Sequence, residues 1–100
     1  MFGTIGRARL KSGRQAQLEA LNQEWQRTIR PKIPGEFAQL IGHAAGQPDD
    51  LVFVALAQDE ATYRRLAELP EQDGWYRRFA EQVEGDVRWE DVEMEVVERA

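Results

Sequence analysis

The chain has 100 residues, 42% of them hydrophobic and 31% charged, the size and balance of one globular domain with a modest core. It has no cysteine and one histidine, which excludes disulfides, cysteine nucleophiles and thiolate metal sites and leaves His43 without the companions a transition-metal centre needs. The net charge of -5 disfavours a nucleic-acid partner, and no apolar run reaches the roughly 20 residues that span a bilayer.

Residues 2–10, FGTIGRARL, read as a strand with Phe2, Thr4, Gly6, Ala8 and Leu10 on one face and Gly3, Ile5, Arg7 and Arg9 on the other. The small side chains at Gly3, Gly6 and Ala8 leave room for a helix or another backbone to come close. MFGTIGRARLK lacks the apolar core and cleavage site of a signal peptide, so a cytoplasmic location is expected. From Ser12 onward the apolar period lengthens. Leu18, Leu21, Trp25 and Ile29 form one stripe of an amphipathic helix, with Ser12 as its expected cap and Pro31 and Pro34 as its stop. Arg27 and Arg30 complement the helix dipole at its C-terminal end.

A second strand fits EFAQLIGHAA, 36–45, with Phe37, Ile41 and His43 on one parity and Leu40 and Ala44 on the other. The GQPDD turn leads into LVFVALAQ, 51–58, whose unbroken apolar run predicts a central strand buried on both faces. Asp59 can cap a short helix that carries Tyr63 and Leu66 and ends at Pro70. Asp73 and Gly74 then introduce another helix. In it Trp75, Phe79 and Val83 are four apart, Tyr76 flanks them, and Arg77 and Arg78 point to solvent. The final run, DVRWEDVEMEVVE, alternates as a strand; Val87 and Trp89 stand on the parity opposite to Val92, Met94 and Val96, which predicts a bulge near Glu90 and Asp91.

Strand, long helix, strand, strand, broken helix, strand is a split βαβ unit repeated once. The fold class expected is therefore α+β: a ferredoxin-like βαββαβ plait, one domain over 1–100, with a four-stranded antiparallel sheet in the order 4-1-3-2 and its helices on one face. The first strand then lies beside the last, which makes Glu93 and Glu95 the expected cross-strand partners of Arg7 and Arg9. This pairing accounts for a basic start and an acidic end in one small chain. The other sheet face has no helix to cover it, and a second copy of the chain is the expected cover, giving a homodimer joined through its sheets.

The segments GTIGRARLKSGR, RPKIPGEF, DDLVFVALAQDEATYRRL and PEQDGWYRRFAEQVEGDVRWEDVEM, in this order, resemble the antibiotic biosynthesis monooxygenase-like domain of the dimeric α/β-barrel superfamily. The resemblance covers essentially the whole chain and rests on element order together with an apolar strand, an acidic residue, a helix with Tyr63 and an aromatic helix. It implies two sheets facing each other in a homodimer and a ligand-sized cavity between helices and sheet in each protomer. The family's haem-degrading members share an asparagine on the first strand and a histidine on a later helix. Here the first strand offers Thr4, Gly6 and Arg7, Asn22 lies on the first helix, and His43 lies on the second strand, so that branch does not fit.

The residues leave the activity open. His43 is the candidate catalytic group, able to exchange a proton near neutrality, and equally a hydrogen-bonded residue at a dimer face. Trp25, Tyr63 and Tyr76 are candidate ligand-binding residues, with Trp25 and Tyr76 expected at the cavity mouth and Trp75 and Phe79 in the core. Arg7 is a candidate anion contact or a partner of the acidic last strand. A small aromatic ligand without a cofactor is expected. The readings are a ligand-binding or accessory dimer, a cofactor-independent monooxygenase of a phenolic or polyketide-like aromatic, or an enzyme of another class such as an isomerase or decarboxylase.

Overall fold

In the computed structural model, which describes residues 1–99, the chain runs β1 (Phe2–Leu10), α1 (Gln15–Thr28), β2 (Phe37–His43), β3 (Asp50–Ala57), α2 (Glu60–Glu68), α3 (Pro70–Ala80) and β4 (Val83–Glu93). The strands pair antiparallel in the order β2-β3-β1-β4, the ferredoxin-like α+β plait that the element order dictates. β1 and β2 run parallel with β3 between them, as do β3 and β4 with β1 between. The strong preference for right-handed crossovers places both helical connections on the same face.

The even parity of β1 is the helix-facing one, with Thr4, Gly6 and Leu10 buried. From the other side, the predicted stripe of α1 descends onto it: Leu18, Leu21, Trp25 and Ile29 are all buried. α3 is clamped to α1 twice. Trp75 Nε1 donates to the Leu21 carbonyl at 2.6 Å, and Arg78 grips Glu24 through both carboxylate oxygens.

Several boundaries differ from the sequence reading, each for a local reason. Ser12 lies in a turn, and Arg14 takes the N-cap position of α1 without a side-chain cap. Pro31 sits within a 3-10 turn, Arg30–Lys32, where Arg30 Nη1 donates to the Ile33 carbonyl at 2.8 Å and finishes the helix end. α2 does end before Pro70, with Leu69 extended, but Pro70 is also the first residue of α3, where a missing N–H costs nothing, so Asp73 and Gly74 lie inside that helix. Arg77 and Arg78 are exposed, as expected, and each also makes an ion pair, Arg77 with Asp73 and Arg78 with Glu24.

The bulge in β4 falls earlier than expected. Arg7 faces Arg88 whereas Arg9 faces Glu84, so β4 gains two residues around Gly85, whose φ of 66° suits glycine. The register also overturns the predicted charge pairs. In an antiparallel pair the end of β1 meets the start of β4, so Arg9 approaches Glu84 at 3.8 Å while Glu93 lies opposite Phe2; the closer partner of Arg9, Asp50, comes from β3 on its other side. β3 is central, yet within one chain it is not buried on both faces: only Leu51 and Ala57, both on the helix-facing side, are fully buried, and Val52, Val54 and Leu56 stand half-buried on the helix-free side.

Candidate functional site

Antiparallel register sorts the helix-facing side chains into rows that cross the whole sheet. Gln39, Ala55, Thr4 and Asp91 make one row, and Ile41, Phe53, Gly6 and Trp89 make the next. Each row has a small residue near its middle, Ala55 or Gly6, and the helices above cannot sink to fill the hollow because large rings prop them up. The result is a cavity of about 320 Å³ between sheet and helices. Its roof comes from Asn22 and Trp25 of α1, Tyr63, Leu66 and Ala67 of α2, and Gln72, Asp73, Trp75, Tyr76 and Phe79 of α3.

Aromatic rings form a connected wall. Trp75 and Phe79 stack with centroids 5.5 Å apart, Phe79 meets Phe53 edge-on at 5.3 Å, and Phe53 meets Trp89 edge-on at 5.2 Å. Trp89 Nε1 donates to the Tyr76 hydroxyl at 3.2 Å, tying β4 to α3 at the rim, where Trp89 is 47% exposed. At the opposite end Trp25 packs against Phe37 at 5.4 Å and donates its Nε1 to Gln72 Oε1 at 2.9 Å. Burial, and after it the Asp91 carboxylate, push the Tyr63 hydroxyl above the usual phenol range; a hydrogen bond with Thr4 and the Arg64 guanidinium act the other way.

The structure brings Trp25, Tyr63 and Tyr76 together on this cavity and leaves His43 and Arg7 outside it. Trp25 is a wall residue only 4% exposed and not part of the mouth, because its indole N–H is satisfied by Gln72 and its ring by Phe37. Trp75 and Phe79 are core residues that also border the cavity. His43 has the helix-facing parity, opposite Leu51, but lies beyond the aromatic wall in a surface groove with Gln15 and Pro48, and its Nδ1 is 2.9 Å from the Ala44 carbonyl. Arg7 lies on the helix-free face opposite Arg88.

Thr4, Gln39, Phe53, Gln72 and Asp91 also line the cavity, and sequence reasoning did not single them out. A signal was present for three: Thr4, Gln39 and Asp91 are polar residues on the parity that faces the helices. Among the described residues there is no group of three or more His, Cys, Asp and Glu side chains placed to hold a metal ion, and no helix is long and apolar enough to cross a membrane.

No family model and no curated protein matches the sequence. Solved structures do match the fold. A candidate antibiotic biosynthesis monooxygenase from Deinococcus radiodurans superposes with a TM-score of 0.77 at 16% identity, covering 100% of this chain and 98% of its own. Another, from Caulobacter crescentus CB15, gives 0.80 at 8% identity over 95% of this chain and 90% of its own. A conserved protein from Methanosarcina mazei Go1 gives 0.77 at 8% over 94% and 92%. Likeness at these identities shows a shared fold, that of antibiotic biosynthesis monooxygenase-like proteins.

Proposed function

We propose that the chain is a small ligand-binding protein, working as a homodimer joined through its open sheet faces, that takes a flat aromatic molecule into the helix-sheet cavity. The observation that carries this reading is the cavity. Its volume of about 320 Å³ falls within the roughly 300–1,000 Å³ of small-molecule sites. An interior packed for stability alone closes voids of this size, and the joined rings of Trp75, Phe79, Phe53 and Trp89 offer both faces and edges to an incoming ring. Isothermal titration with indole and 2-naphthol tests it. Saturable binding at one site per chain supports the reading, and no heat up to the solubility limit overturns it.

The helix-free face supports the dimer. Ile5, Val54 and Leu40 form one apolar row across three strands, and Leu40 is 61% exposed. A row of this kind is a surface that a second copy can cover. Light scattering at low micromolar concentration is expected to give twice the mass of one chain.

The shared fold favours a second reading, cofactor-independent oxidation of a small phenolic or polyketide-like aromatic, in which a phenol and O2 give a quinone and water. Oxygen uptake with naphthols above the buffer rate would support it. No uptake, with binding intact, leaves the ligand-binding reading standing.

A further inference from the structure

The cavity lining offers hydrogen-bond acceptors and neutral amides but no cation. Among the described residues no Lys, Arg or His lines it, whereas Asp73 and Asp91 do. The arginines that pair with these carboxylates stand outside the lining: Arg77 Nη2 is 2.8 Å from Asp73 Oδ2, and Arg64 Nη2 is 3.6 Å from Asp91 Oδ2. Arg64 is drawn onto the rings of Phe2 and Tyr63, 5.2 Å and 5.5 Å from their centroids. Aromatic faces carry partial negative charge and ring edges only a weak positive one, so the walls bring no full charge to compensate a buried anion.

Building on the aromatic-binding reading, we infer that the cavity selects an un-ionised aromatic bearing a hydroxyl or N–H donor, held by Asp91, and turns away carboxylates and phenolates of the same shape. Asp91 and Thr4 are direct cross-strand partners on the helix-facing side, and Tyr63 comes down beside them from α2. The Thr4 hydroxyl donates its hydrogen to the Glu90 carbonyl at 3.1 Å and so has none to offer a ligand, and Asp91 beside it is the charged, and therefore the stronger, acceptor at this end. Tyr63 already registers the local field. Burial is the first cause that pushes its hydroxyl above the usual phenol range, and Asp91 acts on it more strongly than Arg64 does. A phenolate placed beside it would meet the same field. A carboxylate would lose hydration with no cation in the lining to replace it, the nearby Arg64 being already shared between Glu60 and Asp91, and this costs more than a neutral hydroxyl that gains one hydrogen bond.

Three ligands of one shape test the inference by isothermal titration of the full chain near neutral pH: 2-naphthol, its methyl ether, which has no donor, and 2-naphthoate. Relative to 2-naphthol, the ether and the naphthoate are each expected to bind about tenfold more weakly or worse. In Asp91→Ala the naphthol falls to the level of the ether and the naphthoate gains, while unchanged affinity for the ether reports an intact cavity. A merely structural role for Asp91 would weaken all three alike. Should the variant fail to fold, the wild-type series still decides. Naphthoate or ether binding as tight as naphthol overturns the inference and leaves the aromatic-binding reading standing; no binding by any of the three overturns both.

Discussion

Phe79 is 2% exposed, stacks on Trp75 and meets Phe53 edge-on, yet it also borders the cavity. Phe79→Ala removes a buried ring and opens its volume into the existing hollow, so urea unfolding is expected to show a loss of about 3–5 kcal/mol. Tyr76→Phe is a different kind of change. It removes only the acceptor of the Trp89 N–H at a half-exposed rim, so its cost is expected to stay within about 1 kcal/mol. A loss for Tyr76→Phe as large as for Phe79→Ala would mean that the rim holds the fold. Two glycines of β1 separate in the same way. A Cβ at Gly3 would strike the Ala55 carbonyl, which is backbone and cannot yield, whereas a Cβ at Gly6 would strike the Phe53 ring, which can turn into the cavity. Gly3→Ala is therefore expected to lower the melting temperature more than Gly6→Ala, and Gly6→Ala to lower ligand affinity while keeping the fold. The reverse order of melting temperatures would contradict this assignment.

At the scale of elements, α2 depends on its cap. The Thr62 backbone N–H donates to Asp59 Oδ1 at 2.8 Å, and this bond is the main cause holding the Asp59 carboxyl below the usual carboxylate range. A folded value below the unfolded one of about 3.9 means that the ionised cap stabilises the helix above roughly pH 4, and that this contribution is lost as pH falls through the depressed folded value. Asp59→Ala is expected to melt below wild type at neutral pH, with the gap narrowing under acid. A gap that stays constant into strong acid would show that ionisation of the cap contributes nothing. This cap was legible in the sequence because it is a local rule, an Asp just before a helical stripe. The start of α3 was misread by a local rule as well. Pro70 ends one helix and begins the next; the first role is legible in the sequence, while the second, which carries the start of α3 back from Asp73 to Pro70, is seen only in the structure.

On the scale of the whole molecule, the open sheet face and the cavity lie back to back across one four-stranded sheet. Val54, at the centre of the apolar row on the open face, is the place to separate assembly from folding. Val54→Glu puts a charge where a second sheet would sit, so light scattering is expected to report a monomer while far-ultraviolet circular dichroism stays unchanged. A dimer that survives this change would place the contact elsewhere. By itself, the sequence determined the order of elements, the α+β plait, the strand order and the core stripe Leu18, Leu21, Trp25 and Ile29, because periodicity and turn chemistry act over a few neighbouring residues. Which residues meet across the sheet was decided only by the tertiary structure. Register depends on where each strand stops and where the bulge at Gly85 falls, and a shift of one or two residues changes every partner. For that reason Arg9 found Asp50 in place of Glu95, and the row of Gln39, Ala55, Thr4 and Asp91, drawn from four separate strands, became the floor of a cavity while His43 was left beyond its edge.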